Sequence, residues 1–215
     1  RIGNDGGSVG IMNLESGTVV VSNNGAVFAG TENNIGHGGG IATLNISGGS
    51  LSVSNGLRLG NESGGNGTLT LSGTGALNVA DELIVGRESG TGVLNVNGGT
   101  ITTSGNGNMY IGRRNGTGTL NQSNGVISVI YEFGVGTRDD NKIGTGTYNL
   151  SGGTLSAGRN IFIGKEQGSS GTMDMTGGTM STSDKLQIGH NQATGVLTQS
   201  GGTVNVQNEV YIGNE

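Results

Sequence analysis

The stretch that decides the fold is GTMDMTGGTMSTSDKLQIG, residues 171–189. It divides into three short segments in which apolar and polar residues alternate, separated by turns rich in glycine, serine and aspartate. The inward positions of the three segments are Met173/Met175, Met180/Thr182 and Leu186/Ile188. Alternation with a period of two is typical of a β-strand that buries one face. We name the three segments the B, C and A strands, in this order.

The same unit recurs along the whole chain. Its A strand closes at Gly3, Gly30, Gly60, Gly86, Gly112, Gly136, Gly164, Gly189 and Gly213, with spacings of 24 to 30 residues. One such coil cannot enclose its own apolar side chains, so the coils must stack. The sequence therefore predicts one domain over residues 1–215: an all-β, right-handed parallel β-helix of about eight coils, each with three short strands. The predicted hand follows from the strong right-handed preference of parallel crossovers.

The alternation also predicts which side chains enter the core. Clear inward pairs in the B strands are Leu69/Leu71, Leu94/Val96 and Tyr148/Leu150. In the C strands they are Leu51/Val53 and Leu77/Val79, weakening to Ile101/Thr103, and in the A strands Leu83/Val85, Met109/Ile111 and Ile161/Ile163. Each coil needs three tight corners, which explains why glycine is so abundant.

The composition excludes several classes of protein. Glycine accounts for 48 of 215 residues, and proline, cysteine and tryptophan are absent. These values exclude a collagen helix, which needs proline, and a disulfide scaffold. No apolar run approaches the length of a membrane span. The net charge of -5 is the wrong sign for a nucleic-acid partner, which is bound by neutralising its phosphates.

The units GTGTLNQSNG, GTGTYNLSGGTL and LQIGHNQATGVLTQSGGTVNV resemble the β-strand repeats of large bacterial surface and secreted proteins, including the autotransporter-associated and PEP-CTERM-linked repeat proteins. The resemblance covers Arg1 to Glu215. It implies a parallel β-helix that is exported to the cell surface or beyond, and it brings no catalytic motif with it. Both ends of the chain lie in an A strand without a polar cap. We therefore expect either a segment of a longer solenoid or copies that associate end to end through open strand edges.

Two outward faces are regular. The B face carries a row of asparagines, which we interpret as an amide ladder that stabilises the stack. The C face carries threonine and serine rows around Thr100 and Thr102, interrupted at Ala76/Asn78 and Val126/Ser128. Such rows are similar to those of ice-binding solenoids, which makes ice binding a less favoured alternative.

The A face is more varied and is the candidate binding surface. Its outward residues, with the charged residues beside them, include Phe28, Arg58, Tyr110, Arg113, Phe162 and Tyr211. Aromatic rings flanked by arginines are enriched at interfaces, and exposed rings also form platforms for sugars. The alternative is that these residues merely fill a strand of high β-propensity.

Catalytic and metal sites are not indicated by the sequence. No carboxylate cluster of the kind used to cut polysaccharides recurs, and we expect no enzyme. His37 and His190 are interpreted as exposed turn residues, and without cysteine or a second nearby histidine they predict no metal site. The turn of Asp139, Asp140 and Asn141 has oxygens for one adventitious calcium ion but lacks a calcium repeat. We expect no cofactor.

These observations predict a structural protein. We expect an extracellular or surface-attached solenoid that acts as a rigid rod, a fibre subunit or the stalk of an adhesin. The alternative is a glycan- or surface-binding module that uses the A face. A polysaccharide-active enzyme is the third reading. The partners expected are other copies of the chain and glycans or cell-surface material, with neither nucleic acid nor a membrane span.

Overall fold

A computed structural model describes residues 1–22 and 33–213. Within these ranges the chain forms 22 β-strands and no helix. The strands fall into three rows, and neighbours within a row pair in parallel. Each row holds eight strand positions, which makes about seven full turns. The predicted all-β, parallel β-solenoid is thus confirmed.

The rows correspond to the B, C and A strands. The B row contains β1 (Val9–Leu14), β4 (Ile41–Ile46), β7 (Asn66–Leu71), β10 (Thr91–Thr103), β12 (Thr117–Val129), β14 (Thr145–Leu150), β17 (Ser170–Met175) and β20 (Thr194–Gln199). The C row contains β2 (Thr18–Val21), β5 (Ser50–Val53), β8 (Ala76–Val79), the second halves of β10 and β12, β15 (Thr154–Ala157), β18 (Thr179–Thr182) and β21 (Thr203–Val206). The A row contains β3 (Asn33–His37), β6 (Leu57–Asn61), β9 (Leu83–Arg87), β11 (Met109–Arg113), β13 (Phe133–Thr137), β16 (Ile161–Lys165), β19 (Leu186–His190) and β22 (Val210–Ile212).

Two coils depart from the three-strand pattern. In β10 and β12 the B and C segments continue into one another as strands of 13 residues. Their mutual register shifts on both sides of Asn97, where the corner bends without leaving the ladder. The B and C rows are thereby joined into one 14-stranded sheet, and the A row forms a separate sheet of eight strands. The prediction of three separate strands is wrong for these two coils, because their corners keep pairing.

The core is a continuous column of side chains along the axis. Leu69, Leu94 and Leu120 are paired rung to rung, and each is fully buried. The inward pairs named above are buried, except that Ile188 is half-buried and packs against the core near the open end of the A row, and this confirms the predicted register. A polar residue in this column, Gln122, is fully satisfied: its Oε1 accepts a hydrogen bond from the Tyr148 hydroxyl at 2.6 Å, and its Nε2 donates to two carbonyls.

One coil boundary differs from the prediction. The A strand expected to close at Gly30 lies outside the described residues, as does Phe28. The strand that pairs with β6 is β3, with Ile35 opposite Leu59, so the glycine equivalent to Gly60 is Gly36. The segment VFAG imitates an A strand in composition, whereas NNIGH occupies the ladder position. The sequence therefore predicts the end of this A strand six residues too early, at Gly30 instead of Gly36.

Candidate functional site

The predicted A-face residues do share one row. Arg58, Tyr110, Phe162 and Tyr211 lie on the outward side of β6, β11, β16 and β22, in a register that passes through Ile84, Gly134 and Gln187. The candidate residues within the described part of the chain therefore share one row, but Arg58 and Tyr211 are six strands apart in it, and Arg58 is buried rather than exposed. Arg113 lies at the end of β11, beside this row.

The aromatic rings of this row are covered by cations. Tyr110 is 6% exposed and Phe162 is 3% exposed. The Arg113 guanidinium carbon lies 4.3 Å from the centre of the Tyr110 ring, and Lys165 Nζ lies 4.3 Å from that of Phe162. Each cation directly follows a glycine with positive φ that bends the chain at the end of the strand. The expectation of an exposed aromatic platform is therefore wrong for Tyr110 and Phe162, because alternation along the strand says nothing of side chains folding back from its end.

The carboxylate of Glu132 contacts both Lys165, which lies over the Phe162 ring, and the hydroxyl of Tyr110. We call this layer of cations and carboxylates over the A-row rings the cover. The Glu132 carboxylate accepts a bond from Lys165 Nζ at 2.9 Å and a long one from the Tyr110 hydroxyl at 3.4 Å. Burial raises the pKa of the Tyr110 hydroxyl, so the phenol stays a neutral donor. Cation–π contacts and ion pairs that are partly desolvated are worth more than exposed ones. The cover is thus a packed layer on the outside of the A sheet.

The acidic turn at Asp139 and Asp140 is part of an ion-pair network. The Asp139 carboxylate lies 3.0 Å from Arg113, and the Asp140 carboxylate lies 2.8 Å from Arg114. Arg114 also pairs with Glu88 at 2.7 Å. Burial tends to raise the pKa of the Glu88 carboxyl, but the hydrogen bond from Lys142 and the nearby arginines hold it below its usual value. These oxygens face cations, which does not favour a calcium site.

The two histidines are half-buried rather than exposed, so that expectation is wrong. His37 Nε2 lies 3.1 Å from a Glu62 carboxylate oxygen, and the His190 ring packs at 5.5 Å from the ring of Phe162. Both follow the glycine at the end of an A strand and bend back as Arg113 does. In the described ranges, no group of three or more His, Asp or Glu side chains is placed to hold a metal ion.

The B face carries the predicted amide ladder. Asn121 Nδ2 donates to Asn95 Oδ1 at 2.9 Å, and Asn149 Nδ2 donates to Asn121 Oδ1 at 2.8 Å. A third bond joins Asn45 to Asn13 at 2.8 Å. The asparagines therefore bond along the axis, as the predicted amide ladder requires.

A concave site that the sequence did not predict lies at the corners between C and A strands. We name it the corner pocket: an open surface depression of about 410 Å³ lined by Asn106, Asn108, Tyr131, Glu132 and Arg159. The corner that contains residues 104–108 has five residues, whereas residues 130–132 and 158–160 form the three-residue corners of the next two coils. The longer corner forms a wall beside its neighbours. Its extra length is the signal in the sequence, but a longer turn by itself predicts no pocket.

Two inward threonines hold the walls of the corner pocket. Thr103 Oγ1 donates to the carbonyl of Gly107 at 2.8 Å and accepts from the backbone N–H of Ile130 at 3.1 Å. Thr182 Oγ1 donates to the carbonyl of Arg159. Thr103 and Thr182 are each 3% exposed and stand at positions where Val79 and Val129 are aliphatic. Thr103 and Thr182, which in the sequence are polar residues at inward positions, therefore hold the backbone of the neighbouring corners by hydrogen bonds.

Comparisons with known proteins give no match for this chain, whether with protein-family models, with curated proteins or with solved structures. The resemblance to autotransporter-associated and PEP-CTERM-linked repeats stays a prediction. Across residues 1–22 and 33–213, a search for a helix long and apolar enough to cross a membrane finds none.

Proposed function

We propose that this chain is a rigid structural rod that is displayed outside the cell, as a stalk or fibre segment, and that it has no catalytic activity. The observation that carries the proposal is the unbroken stack: the B and A rows each pair in parallel through all eight strand positions, and one apolar cluster runs from Leu14 to Leu186. A column of this kind resists bending, because every inner coil is hydrogen-bonded to the coils on both sides of it.

The outer faces support the same role. The asparagine ladder adds bonds along the axis, and the A face is covered by ion pairs that link successive coils, as between Lys165 and Glu132. Export is supported by the absence of cysteine, which suits a protein that folds without disulfides, and by the resemblance of its repeats. The burial of Tyr110 and Phe162 does not favour the A face as a glycan-binding platform.

Removal of one whole coil should shorten the rod and leave it folded. Ser170 and Thr194 hold equivalent positions in neighbouring coils, so deleting residues 170–193 joins two compatible coils. We expect the variant to keep its β-sheet circular dichroism and cooperative unfolding. Small-angle X-ray scattering should show the same cross-section and a length reduced by about 4.8 Å, one strand spacing.

The matched control is deletion of residues 170–181, which removes half a coil and places two A strands in succession. We expect this variant to aggregate or unfold. Equal behaviour of the two deletions would show that the coils are not interchangeable units. Antibody labelling of intact source cells tests the location: labelling supports display outside the cell, and labelling only after lysis contradicts it. The same scattering measured over a range of concentrations tests the predicted end-to-end association.

A further inference from the structure

We propose that the corner pocket binds an acidic sugar unit of a polysaccharide, with the sugar ring against Tyr131 and its carboxylate on Arg159. This goes beyond the role of a rod and does not depend on it. In a repeat protein, an insertion in one unit commonly marks the binding face. Among the corners from β5 onward that join a C strand to an A strand, the corner of residues 104–108 is the one with five residues in place of three.

The chemistry of the pocket fits a sugar. The Tyr131 ring is half-exposed, and an aromatic ring packs well against the C–H face of a pyranose. The Asn106 side chain is exposed at the rim, where an amide can bond to sugar hydroxyls. The volume of about 410 Å³ lies within the range of small-ligand sites. It suits a mono- or disaccharide portion of a longer chain that runs on across the open corner.

The charge of the pocket favours an acidic sugar. The Arg159 side chain is exposed, its guanidinium carbon lies 4.9 Å from the centre of the Tyr131 ring, and no ion pair to it occurs within residues 1–22 and 33–213. A guanidinium that is free of carboxylates and braced on a ring is well placed for a two-pronged bond to a ligand carboxylate. The other charge, Glu132, is already neutralised by Lys165 at 2.9 Å. The lining itself carries one cation, Arg159, and one anion, Glu132. Because Lys165 pairs with Glu132 from outside the lining, the charge left open to a ligand is that of Arg159.

The pocket is also built rigidly. Asn108 Oδ1 accepts from the backbone N–H of Glu132 at 3.0 Å, and the backbone N–H of Arg159 donates to the carbonyl of Tyr131 at 3.0 Å. With the bonds from Thr103 and Thr182, the three corners that line the pocket are tied to each other and to the core. A site that is ordered before binding loses less entropy when the ligand arrives.

The test is titration of the whole chain with trigalacturonate, trimannuronate and sialyllactose, followed by calorimetry and by NMR chemical shifts. We expect at least one of these sugars to bind. Its methyl ester should bind with an affinity that is lower by roughly tenfold or more, because the ester removes the charge of the carboxylate. Arg159→Gln and Tyr131→Ala should each weaken binding by roughly tenfold or more. Arg138→Gln is the matched control, since Arg138 bonds to Gln167 and Asn141 away from the pocket.

A second variant tests the inserted corner itself. Deleting residues 106–107 restores the three-residue length of the neighbouring corners, so the solenoid should stay folded by circular dichroism while binding is lost. Three results would overturn the proposal: no binding of any of the three acidic sugars, equal binding of ester and acid, or binding that survives both Arg159→Gln and Tyr131→Ala. Inorganic phosphate serves as a competitor, and displacement of the sugar by phosphate at equal concentration would show a simple anion site instead.

Discussion

Leu71→Asp should unfold the coils around β7, whereas Thr70→Asp, one residue earlier, should leave the stability of the protein almost unchanged. Leu71 is fully buried between Ile46 and Val96 in the inward B row. A lone carboxylate there loses its hydration and gains no partner, which costs several kcal/mol beyond the loss of the leucine itself. Because whole domains are stable by only about 5–15 kcal/mol, this one change removes most of the margin.

Thr70 is a matched control because its side chain points outward. The row of Thr70 already contains Asp174 in a later coil, so a carboxylate is compatible with the ladder there. Urea unfolding followed by circular dichroism measures both variants. Equal losses of stability would mean that the inward and outward faces have been interchanged, since a shift of one residue moves every side chain to the other face.

Gly60→Ala should be nearly as damaging, although it adds only one methyl group. Gly60 lies in β6 with a φ of +65°, and a Cβ at this position would overlap with the backbone of Thr91, the first residue of β10, which is the second B strand after Gly60 along the chain. The obstacle is backbone that belongs to the ladder, so it cannot move without breaking hydrogen bonds on both sides. We expect a loss of stability well above the cost of the left-handed conformation alone, which is about 1–2 kcal/mol for a residue with a side chain.

Gly17→Ala separates these two costs. Gly17 has a φ of +80°, yet a Cβ there meets no atom within 4 Å. It should therefore show the conformational cost and no more. Thermal unfolding of the two variants gives the comparison directly. If Gly17→Ala destabilised the protein as much as Gly60→Ala, the close approach of successive coils at the end of each A strand would be refuted.

Most of the architecture could be predicted from the sequence, because each coil repeats the same alternation of buried and exposed residues and ends at an equivalent glycine. The alternation in Leu94/Val96 and Met109/Ile111 identifies the buried face, and the glycine that follows fixes the coil boundary. The asparagine row was equally readable, since residues at equivalent positions of stacked coils must be neighbours. Such inferences succeed where one coil is a copy of the next.

The predictions failed where the position or burial of a residue depends on contacts with residues outside its own strand. Alternation placed Tyr110 on the outside of the A sheet correctly, yet it gave no sign that Arg113 folds back over the ring. The segment around Gly30 has the composition of an A strand, and only pairing with β6 shows that Gly36 holds the position. β10 and β12 run through their corners because the ladder continues, which no local pattern records.

The corner pocket was missed for a related reason. Thr103 and Thr182 looked like weak members of the core, because a polar residue at an inward position has no place in a simple apolar column. Their hydroxyls instead bond to the corners on either side of the pocket. The sequence does show that the corner at 104–108 has two more residues than its neighbours. That these residues form one wall of a pocket is apparent only from the positions of the three neighbouring corners in the structure.

The most direct test of the stacked coils is the distance between pairs of spin labels along the B row. The chain has no cysteine, so cysteines introduced at outward positions are labelled uniquely. Asn45 lies four, five and six coils from Asn149, Asp174 and Thr198 in the paired register. At about 4.8 Å per coil, electron double resonance should give backbone separations of about 19, 24 and 29 Å, rising by one equal step per coil. Separations that fail to increase with each added coil would contradict the solenoid.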